Sequence, residues 1–251
     1  MKTEATKELL YKMSDDLLIL GHRNSEWTGL GPILEEDIAF SSMAQDKIGQ
    51  SLAFYSLLQQ MGEQEPDKLA FMRKAENFHN SQFVELPIGE YDFSLMRHFL
   101  FDHADYLRFT NLSSSSSTEI SQIAKKFTGE VKYHVMHANS WINKLGNGTE
   151  ESIYRMQNSL DKAIPLALGV FEPSPYESTL IEEKIFCGEK HLMEIWCEEV
   201  SNTLSKTDLK MPDFFHIQPV FGGRVGKHTA HLQPLLDEMS EVFKLDPSAE
   251  W

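Results

Sequence analysis

The sequence predicts an all-α fold, a bundle of long helices arranged as two helical hairpins joined by a long crossover. Three observations carry this. Apolar residues recur at steps of three and four almost everywhere along the chain, the spacing of one face of an α-helix. Leu, Glu, Lys, Gln, Met and Ala are common, and no alternating Val-, Ile- and Thr-rich runs occur at regular spacing. The connections are uneven, short within each of two helix pairs and long between them.

The first helix is predicted from about Thr6 to Thr28, and the second from Leu34 to Met61-Gly62. The span from Glu63 to Tyr91 is the crossover, with a short helical piece of its own around Asp67 to Phe83. The third helix covers about Asp92 to Asn111. The serine run 113–117 makes a turn and caps the fourth, about Thr118 to Leu145. Gly146-Asn147-Gly148-Thr149 stops that helix and caps a fifth reaching about Phe171, which Pro165 should kink or shorten. A sixth runs from about Ser178 to Leu204, carrying Cys187, Trp196 and Cys197 as core residues. Residues 205–226 hold Pro212, Pro219, Gly222, Gly223 and Gly226 without periodicity and read as a long loop. A last helix covers about Thr229 to Phe243, with a bend near Pro234. No repeat of 20 to 50 residues is present. Two hairpins joined by one long crossover is the ferritin-like topology of the four-helix bundle. The expected organisation is one domain over 1–251, with a core bundle at about 6–145 and C-terminal helices and loop at about 149–251.

Composition narrows the function classes. Lys plus Arg is 23 against 38 Asp plus Glu, a net charge of −15. That balance opposes a nucleic acid or an anionic membrane as main partner, since both need concentrated positive charge. Two cysteines make a disulfide framework unsupported, and their spacing fits no common zinc pattern. Met1-Lys2-Thr3-Glu4 leads into an amphipathic helix rather than an apolar signal core. No stretch approaches the ~18 apolar residues of a membrane span. The expected compartment is the reducing cytoplasm.

Each of the four long helices carries a polar residue on an otherwise apolar stripe. Helix one has Asp16 among Leu9, Met13 and Leu20. Helix two has Lys47 and Gln50 among Phe40, Met43, Phe54 and Leu57. Helix three has Asp102 among Leu95, Phe99, Tyr106 and Phe109. Helix four has Glu130 and His134 beside Phe127, Val131, Ala138 and Trp141. Such stripes face a bundle interior, where a charge must be paired or bound to metal. A di-iron carboxylate site takes one Glu from each of two helices and a Glu-x-x-His from each of the other two. Here that layout is damaged. The second-helix motif reads Lys47-Ile48-Gly49-Gln50, and a charged lysine has no lone pair for a metal. In helix four the spacing from Glu130 to His134 is four, with Tyr133 at three and His137 nearby. The expectation is an internal salt-bridge cluster, with Lys47 where a metal would sit and Asp16, Asp102 and Glu130 around it. The plainer alternative is that one or two of these groups point past the core to solvent.

Other motifs are weaker. Glu76-Asn77-Phe78-His79 is the one literal Glu-x-x-His, but it lies in the crossover without a second copy. Gly222 to Thr229 is not a P-loop, because Phe221 stands where a glycine is needed, His228 follows Lys227, and no strand precedes it. The segment is nevertheless basic, with Arg224, Lys227, His228 and His231 in an acidic chain. It reads as an interface with an acidic partner face, as an ordered loop packed on the bundle, or as a contact for a CoA phosphate. Arg23 and Trp27, beside His22 and Glu26, end helix one as an interface anchor or as a helix-end salt bridge.

Several stretches together carry a family resemblance. They are Leu18-Ile19-Leu20-Gly21-His22-Arg23 with Glu26-Trp27, and Leu34-Glu35-Glu36-Asp37-Ile38-Ala39. Val84-Glu85-Leu86-Pro87 with Gly89, Glu130-Val131-Lys132-Tyr133-His134, and Leu145-Gly146-Asn147-Gly148-Thr149-Glu150 follow. The last is Gly222-Gly223-Arg224-Val225-Gly226-Lys227-His228-Thr229-Ala230-His231-Leu232. With these the sequence resembles the non-catalytic, ferritin-like subunits of bacterial phenylacetyl-CoA epoxidases, the ring 1,2-phenylacetyl-CoA oxygenases. The resemblance runs from about residue 12 to Trp251 and is weakest over 172–220.

The resemblance implies a chain that keeps the fold of a catalytic di-iron partner but has lost the ligands, so that Asp16, Lys47, Gln50, Asp102, Glu130 and His134 mark a degenerate metal site. It implies no cofactor in this chain. The di-iron centre would belong to the catalytic ferritin-like subunit, with a small bridging subunit beside it and a reductase using NADPH, flavin and an iron–sulfur cluster. The implied role is to stabilise and scaffold that assembly, with a homodimer when the chain is alone. The competing expectation is an independent ferritin-like metalloprotein or oxidase with an atypical site at Asp16, Asp102, Glu130 and His134.

Overall fold

The computed structural model describes residues 1–247 and 249; Trp251, where the resemblance ends, lies outside them. The chain is an all-α helical bundle, with no strand among the described residues. The long helices are α1 (Lys2–Ser25), α2 (Leu34–Gln60), α5 (Tyr91–Leu112), α6 (Thr118–Gly146), α7 (Glu150–Gly169), α9 (Glu189–Leu204) and α10 (Leu232–Leu245). The short ones are α3 (Pro66–Phe71), α4 (Gln82–Glu85) and α8 (Glu177–Glu182). The two helix pairs α1–α2 and α5–α6, separated by the 61–90 crossover, follow the element order of a ferritin-like four-helix bundle.

The chain forms two compact units. One comprises residues 1–5 and 88–221, the other residues 6–87 and the stretch from Gly222.

In the second of these, α1 and α2 form an antiparallel hairpin. Lys7 meets Glu63, Ser14 meets Ser51, and Gly21 meets Ala44 and Ile48, so positions ascend on one helix as they descend on the other. Gly21 permits this closeness, since a Cβ there would stand 2.9 Å from Ile48 Cγ1. The crossover holds less helix than the spacing predicts. In place of a continuous piece over 67–83 there are α3, a 3-10 turn at Ala75–Asn77, and α4. The residues between them direct backbone groups to side chains of α1, and those bonds replace helical ones. In α10, Pro234 is the third residue, where the missing N–H is one the helix start leaves unbonded anyway.

In the other unit α5 is the central helix, packed by α6, α7 and α9. Every residue from Ser94 to Asp105 is buried. Trp196 of α9 is fully buried, donates its indole N–H to the Leu100 carbonyl at 2.9 Å, and meets the rings of Phe171 and Phe214. Two starts follow the sequence. Ser117 caps α6 and Thr149 caps α7, each hydroxyl accepting from a backbone N–H three residues on. Thr149→Ala is expected to cost about 1 kcal/mol, the usual value of an N-cap, read as a fall in urea midpoint with unchanged slope.

One expectation is corrected below, the sixth helix. α7 carries Pro165 in its interior and ends at Gly169, two residues before the expected Phe171. The bond that proline forfeits would have gone to the carbonyl of Asp161, an exposed residue whose backbone water can reach. The sixth predicted helix is two helices, α8 and α9, broken at 183–188. Lys184 (φ 56°) and Gly188 (φ 94°) both take left-handed conformations that no helix interior accommodates. Cys187 therefore lies in the connection, not in a helix, while Cys197 stays on α9. Both thiols are half-buried, and burial pushes each up to about 11.

Candidate functional site

Two adjacent aspartates on α1 organise the unit that holds α1 and α2. Asp15 accepts from the Tyr55 hydroxyl, the Arg73 guanidinium and the His79 backbone N–H. Burial raises the Tyr55 phenol well above its ordinary range, and the Asp15 charge adds to this. Asp16 accepts from the Ser81 N–H at 2.7 Å and from Arg224 at 2.6 Å. Arg224 also donates to the carbonyls of His79 and Lys12. The crossover and the glycine-rich segment are thus fastened to one helix through neighbouring carboxylates.

A third buried carboxylate, Glu85, completes the attachment. It pairs with His228 Nδ1 at 2.6 Å, accepts from the N–H and hydroxyl of Thr229 at 2.6 Å each, and accepts from Asn80 Nδ2 at 2.9 Å. Its carbonyl accepts twice from Arg23, whose guanidinium also bonds Glu26 at 2.6 Å and the His231 carbonyl. Gly223 and Gly226 permit the close approach, because a Cβ at either would fall within 2.5 Å of a carbonyl of the crossover.

These contacts place the residues read as interface candidates. Arg23, Arg224 and the His228 ring are directed inward, and Trp27 is buried with its ring 6.1 Å from that of Phe40. Lys227 and His231 are exposed. Of the crossover pair, Glu76 is exposed, while His79 stacks on Tyr11 and stands 3.4 Å from Glu8. Burial pulls the His79 pKa down, but the bond to Glu8 and the charges of Asp15 and Glu8 carry it above its ordinary value.

Of the six metal-site positions, Asp16, Lys47 and Gln50 belong to this unit, all buried, the last two completely. Asp102, Glu130 and His134 belong to the other. There Asp102 and His134 are fully buried and 3.5 Å apart, and Glu130 is half-buried. The sequence reading missed a further member, His98, one turn before Asp102 on α5. Its Nδ1 bonds Asp102 at 2.5 Å and its Nε2 meets His137 Nδ1 at 3.1 Å. Burial lowers His98 to about 4; Asp102 opposes that shift, and His137 and His134 add to it. The signal was present, since His98 lies three residues after Leu95 and four before Asp102 on the same stripe.

The donor set does not fit a di-metal centre. A carboxylate-bridged pair of cations needs a carboxylate from each of four helices and an imidazole from two of them, and where the second helix should give Glu-x-x-His, α2 offers Lys47 and the amide of Gln50 instead. Among the described residues no group of three or more His, Cys, Asp or Glu is arranged to hold a metal ion. No described helix is long and apolar enough to cross a membrane.

Comparison with known proteins gives two findings. The family model described as phenylacetic acid catabolic protein matches residues 1–251. The chain is also similar to one of the subunits of the 1,2-phenylacetyl-CoA epoxidase of Escherichia coli (strain K12). The two are 31% identical over 241 residues, covering 96% of each chain.

Proposed function

This chain belongs to the phenylacetic acid catabolic protein family, and on that premise we propose that it is a structural, non-catalytic subunit of a phenylacetyl-CoA epoxidase. Its work is to hold and stabilise a catalytic subunit of related fold, which carries the di-iron centre. A small bridging subunit and a reductase with NADPH, flavin and an iron–sulfur cluster complete the assembly in the cytoplasm. The chain acts there as one ferritin-like domain over residues 1–251.

The observation that carries this reading is the buried pair Lys47 and Gln50 on α2, where a metal-binding helix needs Glu and His. A buried ammonium repels a dication electrostatically, and it stabilises neighbouring carboxylates without one. The similarity to an epoxidase subunit over nearly all of both chains supports the substrate class.

Metal analysis tests it. The chain purified alone is expected to hold no stoichiometric iron. Co-expressed with the catalytic subunit, it is expected to copurify in a complex that holds iron. Stoichiometric iron in the lone chain, lost on Glu130→Ala, would overturn the reading and make the chain a metalloprotein in its own right.

A further inference from the structure

Helix α2 breaks the usual rule for a helix in contact with water. One face is buried, from Phe40 through Met43, Lys47, Gln50 and Phe54 to Leu58. The opposite face should then be charged, as on α6, where Lys125, Lys126 and Lys132 are exposed. On α2 it is not. Its outer face runs Ile38, Ser42, Gln45, Gly49, Leu52, Ser56, spaced four, three, four, three, four. No charge interrupts these positions over ~27 Å of helix. Ile38 is 60% and Leu52 50% exposed, and just ahead Leu30, Ile33 and Leu34 extend the apolar surface with 64%, 45% and 71%. An uncharged outer face that exposes Ile38 and Leu52, with Leu30, Ile33 and Leu34 just ahead of it, marks an interaction surface.

The spacing states what fits. A four-three repeat is the seam of a helix pair. Long side chains at 38, 45 and 52 alternate with Ser42, Gly49 and Ser56, which leave hollows for a partner's side chains. Nothing stands within 4 Å of the position of a Gly49 Cβ. The charges bordering the seam on α2, Glu35, Asp37 and Asp46, are all acidic, and the one lysine of that helix, Lys47, is buried. A second copy laid on this face would set one acidic border against another in a chain of net charge −15.

We infer that the outer face of α2 is the docking site for an α-helix of a different chain, with an apolar seam and basic flanks. This rests on the function proposed above, under which that helix belongs to the catalytic di-iron subunit. Gly49→Leu starts from open space, since nothing stands within 4 Å of its Cβ position, and leucine is the better helix former.

The test uses the purified full chain and the di-iron subunit. Gly49→Leu is expected to keep or raise the melting temperature while weakening association about thirtyfold or more, the scale of losing an interface anchor. Added salt is expected to weaken wild-type association, and Glu35→Gln to blunt that dependence. If wild type and Gly49→Leu bind the subunit equally, the assignment of this face is overturned and the proposed function stands. Failure of wild type to bind overturns both. A lone-chain dimer in sedimentation that Gly49→Leu converts to monomer makes the face a self-interface and overturns the choice of occupant.

Discussion

Replacing Arg224 with methionine is expected to destabilise the chain by about 3–5 kcal/mol, the cost of leaving one partner of a buried ion pair uncompensated. Arg224 is 2% exposed, and its guanidinium bonds the Asp16 carboxylate at 2.6 Å. Two backbone carbonyls, of Lys12 and His79, lose a donor with it. Methionine keeps most of the volume, so the loss is electrostatic and not a cavity. Urea unfolding measures it directly, as a fall in midpoint at nearly constant slope. The discriminating companion is the double variant Asp16→Leu with Arg224→Met. Removing both charges is expected to recover part of the loss, because an apolar pair in a dry site incurs no uncompensated desolvation. A single variant within 1 kcal/mol of wild type would show that water reaches Asp16, and that the glycine-rich segment is not fastened by this pair.

That pair also shows where sequence reading stops. Asp16 is legible as a core position from its four-three-four spacing with Leu9, Met13 and Leu20, and it is buried. Its partner is 208 residues away in a loop without periodicity, so no local pattern connects the two. The long helices were legible because their apolar stripes, and in α6 and α7 their capping residues, are local signals. α2 starts at Leu34 as the spacing predicts, and α5 and α6 match within a residue at each end. The break between α8 and α9 was not legible, because Ile181, Ile185, Leu192 and Trp196 recur at steps of four, seven and four across it, a helical phase. Only the backbone at Lys184 and Gly188 departs from it. α1 begins earlier than predicted, at Lys2, where the buried Ala5 extends the stripe by one more turn. For the polar core the spacing found the burial of Lys47, Gln50, Asp102 and His134 but not their bonds. Which of several reachable partners a buried charge takes depends on tertiary placement.

Acid is expected to destabilise the chain through His98 by about 3 kcal/mol, since each pKa unit of difference between folded and unfolded chain is worth about 1.4 kcal/mol. Burial holds this imidazole neutral down to about 4 in the folded chain. In the unfolded chain it takes up a proton near its ordinary value of about 6.5. The folded pKa is the lower one, so unfolding binds a proton in the interval between. The stabilisation is complete above about pH 6.5 and is lost as pH falls through that interval toward 4. The ring is fully buried, so solvent screening does not reduce it. His98→Gln removes the titration while keeping a side chain able to donate to Asp102 and accept from His137. The variant is expected to be less stable than wild type at pH 7 and to close most of that gap by pH 4.5. Parallel stability curves from pH 7 to 4.5 would mean that His98 titrates alike in both states, and that the Asp102 carboxylate offsets the whole penalty of burial.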